Sequence, residues 1–243
     1  MDELTKFREQ KLKNIEKLGE DDALSKSGAD FLRETAKYNY TYNFTWMGVP
    51  LIQVPQDMIA MQEIIWETKP DLIIETGIAH GGSLIYYASI LQLIGSGHVL
   101  GVDIEIRPHN KIVIENHPMS KRISMIEGSS VDQNTIQKVR DFSSAYKNIM
   151  VVLDSNHTHE HVLLELNAYS KLVTKNNYLV VFDTLIEDMP ENFYPDRPWG
   201  KGNNPKTAVR EFIRNNNDFV IDESIPRKIL ITVAPDGYLK RIR

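Results

Sequence analysis

Cysteine is absent from the sequence, which excludes disulfides, thiolate metal sites and cysteine nucleophiles and suits a reducing compartment. Long apolar runs are missing too. No stretch reaches the roughly 18 continuous apolar residues of a membrane span, and the leading Met1-Asp2-Glu3-Leu4-Thr5-Lys6 carries no apolar targeting core. There is no basic block: charges of both signs are mixed along the chain to a net −5, which argues against a nucleic-acid groove. Internal repeats, low-complexity tracts and an internal linker are also lacking. The expectation is a cytoplasmic protein with no membrane span and no nucleic-acid partner.

What is present is ordinary globular material, with 42% hydrophobic and 25% charged residues over 243 positions, enough for one large decorated domain. The chain is organised around Pro70–Leu93. Leu72, Ile73 and Ile74 form the unbroken apolar run of a parallel strand covered on both faces, and Leu84, Tyr87, Ala88 and Leu91 recur at helical spacing. Between them Gly77, Gly81 and Gly82 permit close backbone approach, and the helix start that follows offers unpaired N–H groups.

Strand and helix patterns then alternate. Strands are expected at Leu72–Glu75, His98–Asp103, Arg122–Glu127, Ile149–Asp154, Tyr178–Asp183, Phe219–Asp222 and Lys228–Val233. Helices are expected near Ser83–Leu93, Asp132–Phe142, Glu160–Val173 and Lys206–Asn215. This predicts an α/β fold with a doubly wound, mostly parallel, seven-stranded Rossmann-like sheet. The last two strands, joined by a few residues around Pro226, should be antiparallel. Residues 55–243 make this domain, and 1–54 a helical and aromatic extension. Leu4, Phe7, Leu12, Ile15 and Leu18 fit one helix face closed by Gly19, and Asp30–Lys37 suits a second helix. That apolar face needs support from the main sheet or a second subunit, so a homo-oligomer is expected. Tyr38–Trp46 holds three tyrosines, a phenylalanine and a tryptophan; it reads either as a packing lid over the core or as a wall of the active site.

Acids end five successive strands: Glu75, Asp103, Glu127, Asp154 and Asp183. In such folds ligands bind at the carboxyl ends of the strands. Asp103 stands where an acid accepts hydrogen bonds from ribose hydroxyls, which implies a nucleoside-bearing cofactor. The dinucleotide fingerprint fails because Ala79 occupies its second glycine position, and Glu75 would repel a diphosphate. No Gly-Lys-Ser/Thr follows, so a P-loop is excluded. S-adenosylmethionine, with its sulfonium, amino-acid end and ribose, matches these features. A nicotinamide oxidoreductase or epimerase and a noncatalytic partner subunit are the other readings.

The segments Tyr42–Trp46, Gln53–Met58, Ile74–Ser83, Leu153–His159 and Arg197–Gly200 resemble the cephalosporin hydroxylase family of class I S-adenosylmethionine-dependent methyltransferases. Its members characterised as methyltransferases act on oxygen, in antibiotic tailoring, glycolipids or surface-polysaccharide sugars. The resemblance implies O-methylation of a sugar or sugar-containing acceptor, so that the partner is a small-molecule or glycan acceptor, with Glu75, Gly77, Gly81, Ser83, Asp103 and Ser129 at cofactor positions. Asp154 also faces the cofactor, and His80 lies near cofactor or substrate. The family pattern has further acidic metal ligands where Asn156 and Phe182 stand.

A sugar hydroxyl is a weak nucleophile, so catalysis is expected from Asp154, His157 and Asp183. Either the two carboxylates hold Mg²⁺, or His157 takes the proton. His157, His159 and His161 cannot share one ion from a helix, since residues two apart face different ways; His159 and His161 are expected to be solvent or packing residues. The segment 184–205, with four prolines and two glycines, is long for a connection and reads as a substrate lid. In it Trp199 offers a stacking face, and Arg197 and Lys201 suit a phosphate-bearing acceptor.

Overall fold

The computed structural model describes residues 2–243. In chain order the first elements are α1 (Glu3–Gly19), α2 (Asp22–Thr35), β1 (Phe44–Trp46) and β2 (Val49–Leu51). The chain continues with α3 (Pro55–Thr68), β3 (Leu72–Thr76), α4 (Gly82–Ile94), β4 (His98–Asp103), α5 (Pro108–Asn116), β5 (Ile123–Glu127) and α6 (Gln133–Ser143). It closes with β6 (Ile149–Leu153), α7 (His159–Tyr169), β7 (Tyr178–Val181), α8 (Pro205–Asn215), β8 (Phe219–Ile221), α9 (Ser224–Ile229) and β9 (Tyr238–Arg241). Short 3₁₀ turns lie at Ala36–Tyr38, Tyr40–Tyr42, Pro118–Arg122 and Thr184–Asp188.

The seven-stranded sheet runs β5-β4-β3-β6-β7-β9-β8. Its first five strands are mutually parallel, and β9 is antiparallel to both neighbours. Every residue of β3, β6 and β7 is buried, as continuous apolar strands between two helical layers must be. One apolar layer gathers α3, α4, the β1–β2 hairpin and the segment around Val233; the other gathers α6, α7 and α8. The chain winds outward from β3 to β5, then returns to β6 on the other side of β3, so the carboxyl ends of β3 and β6 flank the topological switch point.

The terminal antiparallel pair is present, but its second strand is β9, not Lys228–Val233. Asp222 caps the backbone of Ser224 at 3.1 Å, and Pro226 falls in the first turn of α9, where a missing N–H costs nothing. Beyond the helix, Thr232 Oγ1 and the Val233 N–H donate to buried Asp57 of α3 at 2.5 and 2.8 Å. The Val233 N–H is therefore withdrawn from any ladder. Burial pushes the Asp57 carboxyl up to about 6 despite these donors and the Tyr238 hydroxyl.

α2 is longer than its expected Asp30–Lys37. It begins at Asp21, whose side chain accepts from the Ala23 and Leu24 N–H groups. Gly28, a poor helix former, is buried within it because the Leu230 carbonyl passes so close that a Cβ would lie 2.2 Å from its oxygen. The C-terminal half of α1 rests on α9 and α2 instead of on the sheet, while Leu4, Phe7 and Leu12 remain 57–68% exposed. The aromatic stretch is mainly a packing layer: Tyr40 lies edge-on to Phe31 and Phe44, and Trp46 Nε1 donates to Ser89 Oγ at 3.0 Å. Among the described residues no helix is long and apolar enough to cross a membrane.

Candidate active site

The glycine loop leaves β3 at Gly77, whose φ of +91° lies in the left-handed region. A Cβ there would stand 2.0 Å from the Asp154 carbonyl oxygen and 3.0 Å from Ser155 Cα, so only glycine lets the loops after β3 and β6 touch. Asp103, at the end of β4, accepts from the Ile78 and Ala79 N–H groups at 2.7 and 3.3 Å and from the Glu105 N–H at 3.2 Å. Its carboxylate thus shapes the glycine loop and keeps limited capacity for a ligand hydroxyl. His80 meets the side chain of Asn110 at 3.4 Å, and Asn110 donates to the Ala79 carbonyl at 2.7 Å. Ser129 follows β5 on the same side of the sheet, partly buried.

Glu75 is 1% exposed and accepts from Ser83 Oγ at 2.6 Å through Oε2. Burial, with a smaller contribution from the charge of Asp103, pushes its carboxyl up to about 8. Its Oε1 has no hydrogen-bond partner, and neither do Gln53 Oε1 nor the hydroxyl of buried Tyr87. Orphaned polar atoms are costly in a protein interior. Gln53 Nε2 reaches Asp154 Oδ2 at 3.5 Å, and the Tyr87 hydroxyl faces the Glu75 carboxyl without closing a hydrogen bond of full geometry, so all three groups belong to one neighbourhood.

On the far side of the switch point, Asp154, His157 and Asp183 each direct one donor atom into a group spanning at most 4.8 Å. His157 Nε2 lies 3.2 Å from Asp183 Oδ2. Asp183 sits in the left-handed region, φ +57° and ψ 20°, a conformation Asp tolerates better than most residues; it turns the chain sharply just past β7. Burial first, then the charges of Asp183 and Glu75, raises the Asp154 carboxyl well above its ordinary range. Asn156 Oδ1 accepts from the Thr158 N–H and hydroxyl, both at 2.9 Å, and Phe182 is buried in the core. Neither position offers the group a further acid.

Segment 184–205 is anchored at both ends. Glu187 accepts from the Gly202 N–H at 2.8 Å and from Asn204 Nδ2 at 2.5 Å, and nearly buried Lys206 reaches Asp188 at 2.6 Å and Asp236 at 3.5 Å. Asn204 and Thr207 form a reciprocal capping box that starts α8. Between the anchors Phe193 and Tyr194 pack on the core. Trp199 comes to His157, ring edge to ring face with centroids 4.8 Å apart, and Arg197 covers the indole at 5.2 Å. Lys201 stays on the exposed turn closed by Gly200 and Asn203, in the field of Glu187.

His159 bonds Thr207 Oγ1 at 2.8 Å and lies 3.2 Å from Glu211, outside the acidic group. Gln53, Tyr87 and Asn110 join the site only through the fold. Gln53 lay inside a recognisable motif, Tyr87 was counted only as an apolar position, and nothing local marked Asn110.

A seven-stranded sheet of this order with an antiparallel end, a glycine loop at the switch point and acids closing the adjacent strands defines a class I methyltransferase. The model of the family Rhamnosyl O-methyltransferase/CmcI matches residues 38–242. The rhamnosyl O-methyltransferase of Mycobacterium bovis (strain BCG / Pasteur 1173P2) is 31% identical over 207 residues, covering 81% of this chain and 78% of its own. That of Mycobacterium leprae (strain TN) is 32% identical over 208 residues, covering 84% and 86%. A solved CmcI structure described as its Mg-SAM form superimposes with a TM-score of 0.59 over 83% of this chain and 78% of its own; at 17% identity the likeness is one of fold. The chain belongs to the Rhamnosyl O-methyltransferase/CmcI family, as the motif resemblance implied, and is an S-adenosylmethionine-dependent O-methyltransferase.

Proposed function

We propose that the chain methylates a hydroxyl of a rhamnosyl or closely related deoxysugar acceptor, with His157 and Asp183 handling the proton. The observation that carries this reading is the convergence of Asp154, His157 and Asp183 beside Trp199, across the switch point from the glycine loop. The sugar preference rests on relatives about one-third identical that are named for a rhamnosyl group.

The methyl-donor site fits its ligand. The orphaned atoms of Glu75, Gln53 and Tyr87 suit the hydrogen-bonding amino-acid end of S-adenosylmethionine, and an acidic pocket suits its cationic groups. Asp103 and Ser129 would serve the nucleoside end. When bound, the donor supplies an electrophilic methyl carbon on a sulfonium. The chain's part is to align the acceptor oxygen, exclude water and take a proton. Since His157 Nε2 faces Asp183, its Nδ1 is the nitrogen left to receive the hydroxyl proton, and Asp183 stabilises the imidazolium. The indole of Trp199 limits where a sugar ring sits.

A second reading uses the same atoms. Asp154 and Asp183 are hard oxygen donors that suit Mg²⁺, and a cation held by them would offset the burial and the neighbouring negative charges that raise the Asp154 carboxyl. His157, a nitrogen donor, suits that ion less well.

The test is transfer of labelled methyl from S-adenosylmethionine to an aryl rhamnoside. We expect a methylated sugar oxygen, indifference to EDTA, and a loss of roughly 10²–10⁴-fold in kcat for His157→Ala. Loss in EDTA restored by Mg²⁺ selects the carboxylate pair instead. Donor binding without transfer to any sugar hydroxyl refutes the enzymatic proposal and favours a noncatalytic partner role.

A further inference from the structure

Beneath the active site, α7 carries a polar column that sugar methylation does not require. His161, Glu165 and Tyr169 recur every fourth residue and so share one helix face. Glu165 is fully buried; its Oε1 accepts from Ser155 Oγ at 2.7 Å and lies 3.6 Å from His161 Nε2, and its Oε2 has no partner. His161 Nε2 stands 3.3 Å from Ser155 Oγ and 3.1 Å from Ser130 Oγ. The Tyr169 hydroxyl donates to the Ser130 carbonyl at 2.9 Å. One helix face therefore grips two loops at once: the turn holding Ser129 and Ser130 after β5, and the Asp154-Ser155 step after β6.

That second loop is the one pressed against Gly77, where the Asp154 carbonyl and Ser155 Cα leave no room for a Cβ. A displacement of Ser155 would move both the wall behind Gly77 and the Asp154 carboxylate. A buried carboxylate with one oxygen left unpartnered is an expensive way to hold a hydroxyl, because an apolar side chain of the same size avoids the desolvation cost. We infer that Glu165 is a positioning residue for the methyl-donor site, setting through Ser155 and His161 the spacing between the loops that hold the two ends of the donor. This rests on the methyltransferase reading of that site.

The experiment measures S-adenosylhomocysteine binding by calorimetry beside thermal unfolding, so neither acceptor nor turnover enters. Glu165→Met, close in volume and apolar, is expected to keep or raise the melting temperature while weakening binding about tenfold or more. Glu165→Gln still offers Ser155 an acceptor and should restore affinity to within about threefold. The double variant with Ser155→Ala should bind no worse than Glu165→Met alone, because both changes cut the same link.

Unchanged affinity in Glu165→Met overturns the inference, and so does a joint fall of affinity and melting temperature that Glu165→Gln does not rescue. Should Glu165→Met fail to fold, Ser155→Ala alone carries the test: about tenfold weaker binding supports the role, and unaltered binding ends it. Wild-type protein that binds no S-adenosylhomocysteine overturns the donor site itself, and the positioning role with it.

Discussion

Replacing Glu75 by Gln should separate stability from donor binding. In the native protein the Glu75 carboxyl is moved from an ordinary 4.5 to about 8 by burial. Between those values the native state keeps a proton that the unfolded chain has lost, so stability falls as pH rises through this window and levels off above it. At about 1.4 kcal/mol per pH unit, the full cost on the alkaline side is on the order of 5 kcal/mol. Glu75→Gln removes that cost and retains an acceptor for Ser83, so near pH 9 its melting temperature should exceed that of wild type by about 5 °C or more.

Donor binding should respond in the opposite sense. A cationic ligand beside Glu75 favours the ionised carboxylate, so binding near neutral pH should release close to one proton, and affinity should rise with pH until about 8. Calorimetry in phosphate and in Tris, which differ in ionisation enthalpy, counts that proton directly. Glu75→Gln should abolish the difference between buffers and weaken binding by roughly 10- to 100-fold. A binding heat independent of buffer, with affinity flat from acid to alkaline pH, would refute the reasoning.

Gly77→Ala combines a left-handed φ with a Cβ 2.0 Å from the Asp154 carbonyl oxygen; urea unfolding should show a loss on the order of 3 kcal/mol, with donor binding abolished. An unchanged urea midpoint would mean that the two loops are free to part. Lys206→Met frees Asp188 and Asp236, both more than a third exposed, so its stability cost should be only about 1 kcal/mol. Limited proteolysis should nevertheless cut within residues 189–202 faster than in wild type, while donor affinity stays unchanged.

Most strands of the sheet were legible because each is a local pattern. The apolar runs of β3, β6 and β7 carry their own burial signal, and the helices α4, α6, α7 and α8 repeat at helical spacing. The Lys228–Val233 stretch misled because it is apolar and brief, and short apolar runs do not distinguish a strand from a helix end and loop. What redirected it was Asp57, 175 positions away in the chain, which claims the Thr232 hydroxyl. α5 was missed because its apolar residues, Ile112, Val113 and Ile114, are consecutive and do not trace a helical stripe.

By itself the sequence determined the class of fold, the glycine loop and the row of acids closing the strands, since each depends on residues adjacent in the chain. It also excluded thiol chemistry outright. Tertiary structure alone decided that Asp103 is largely occupied with the loop N–H groups, that Glu75, Gln53 and Tyr87 leave unpartnered atoms in one neighbourhood, and that His157 meets both Asp183 and Trp199. It also decided that Glu165 belongs under the site. Which side chains share a few ångströms of low-dielectric space is set by how distant segments pack, and no local periodicity carries that information.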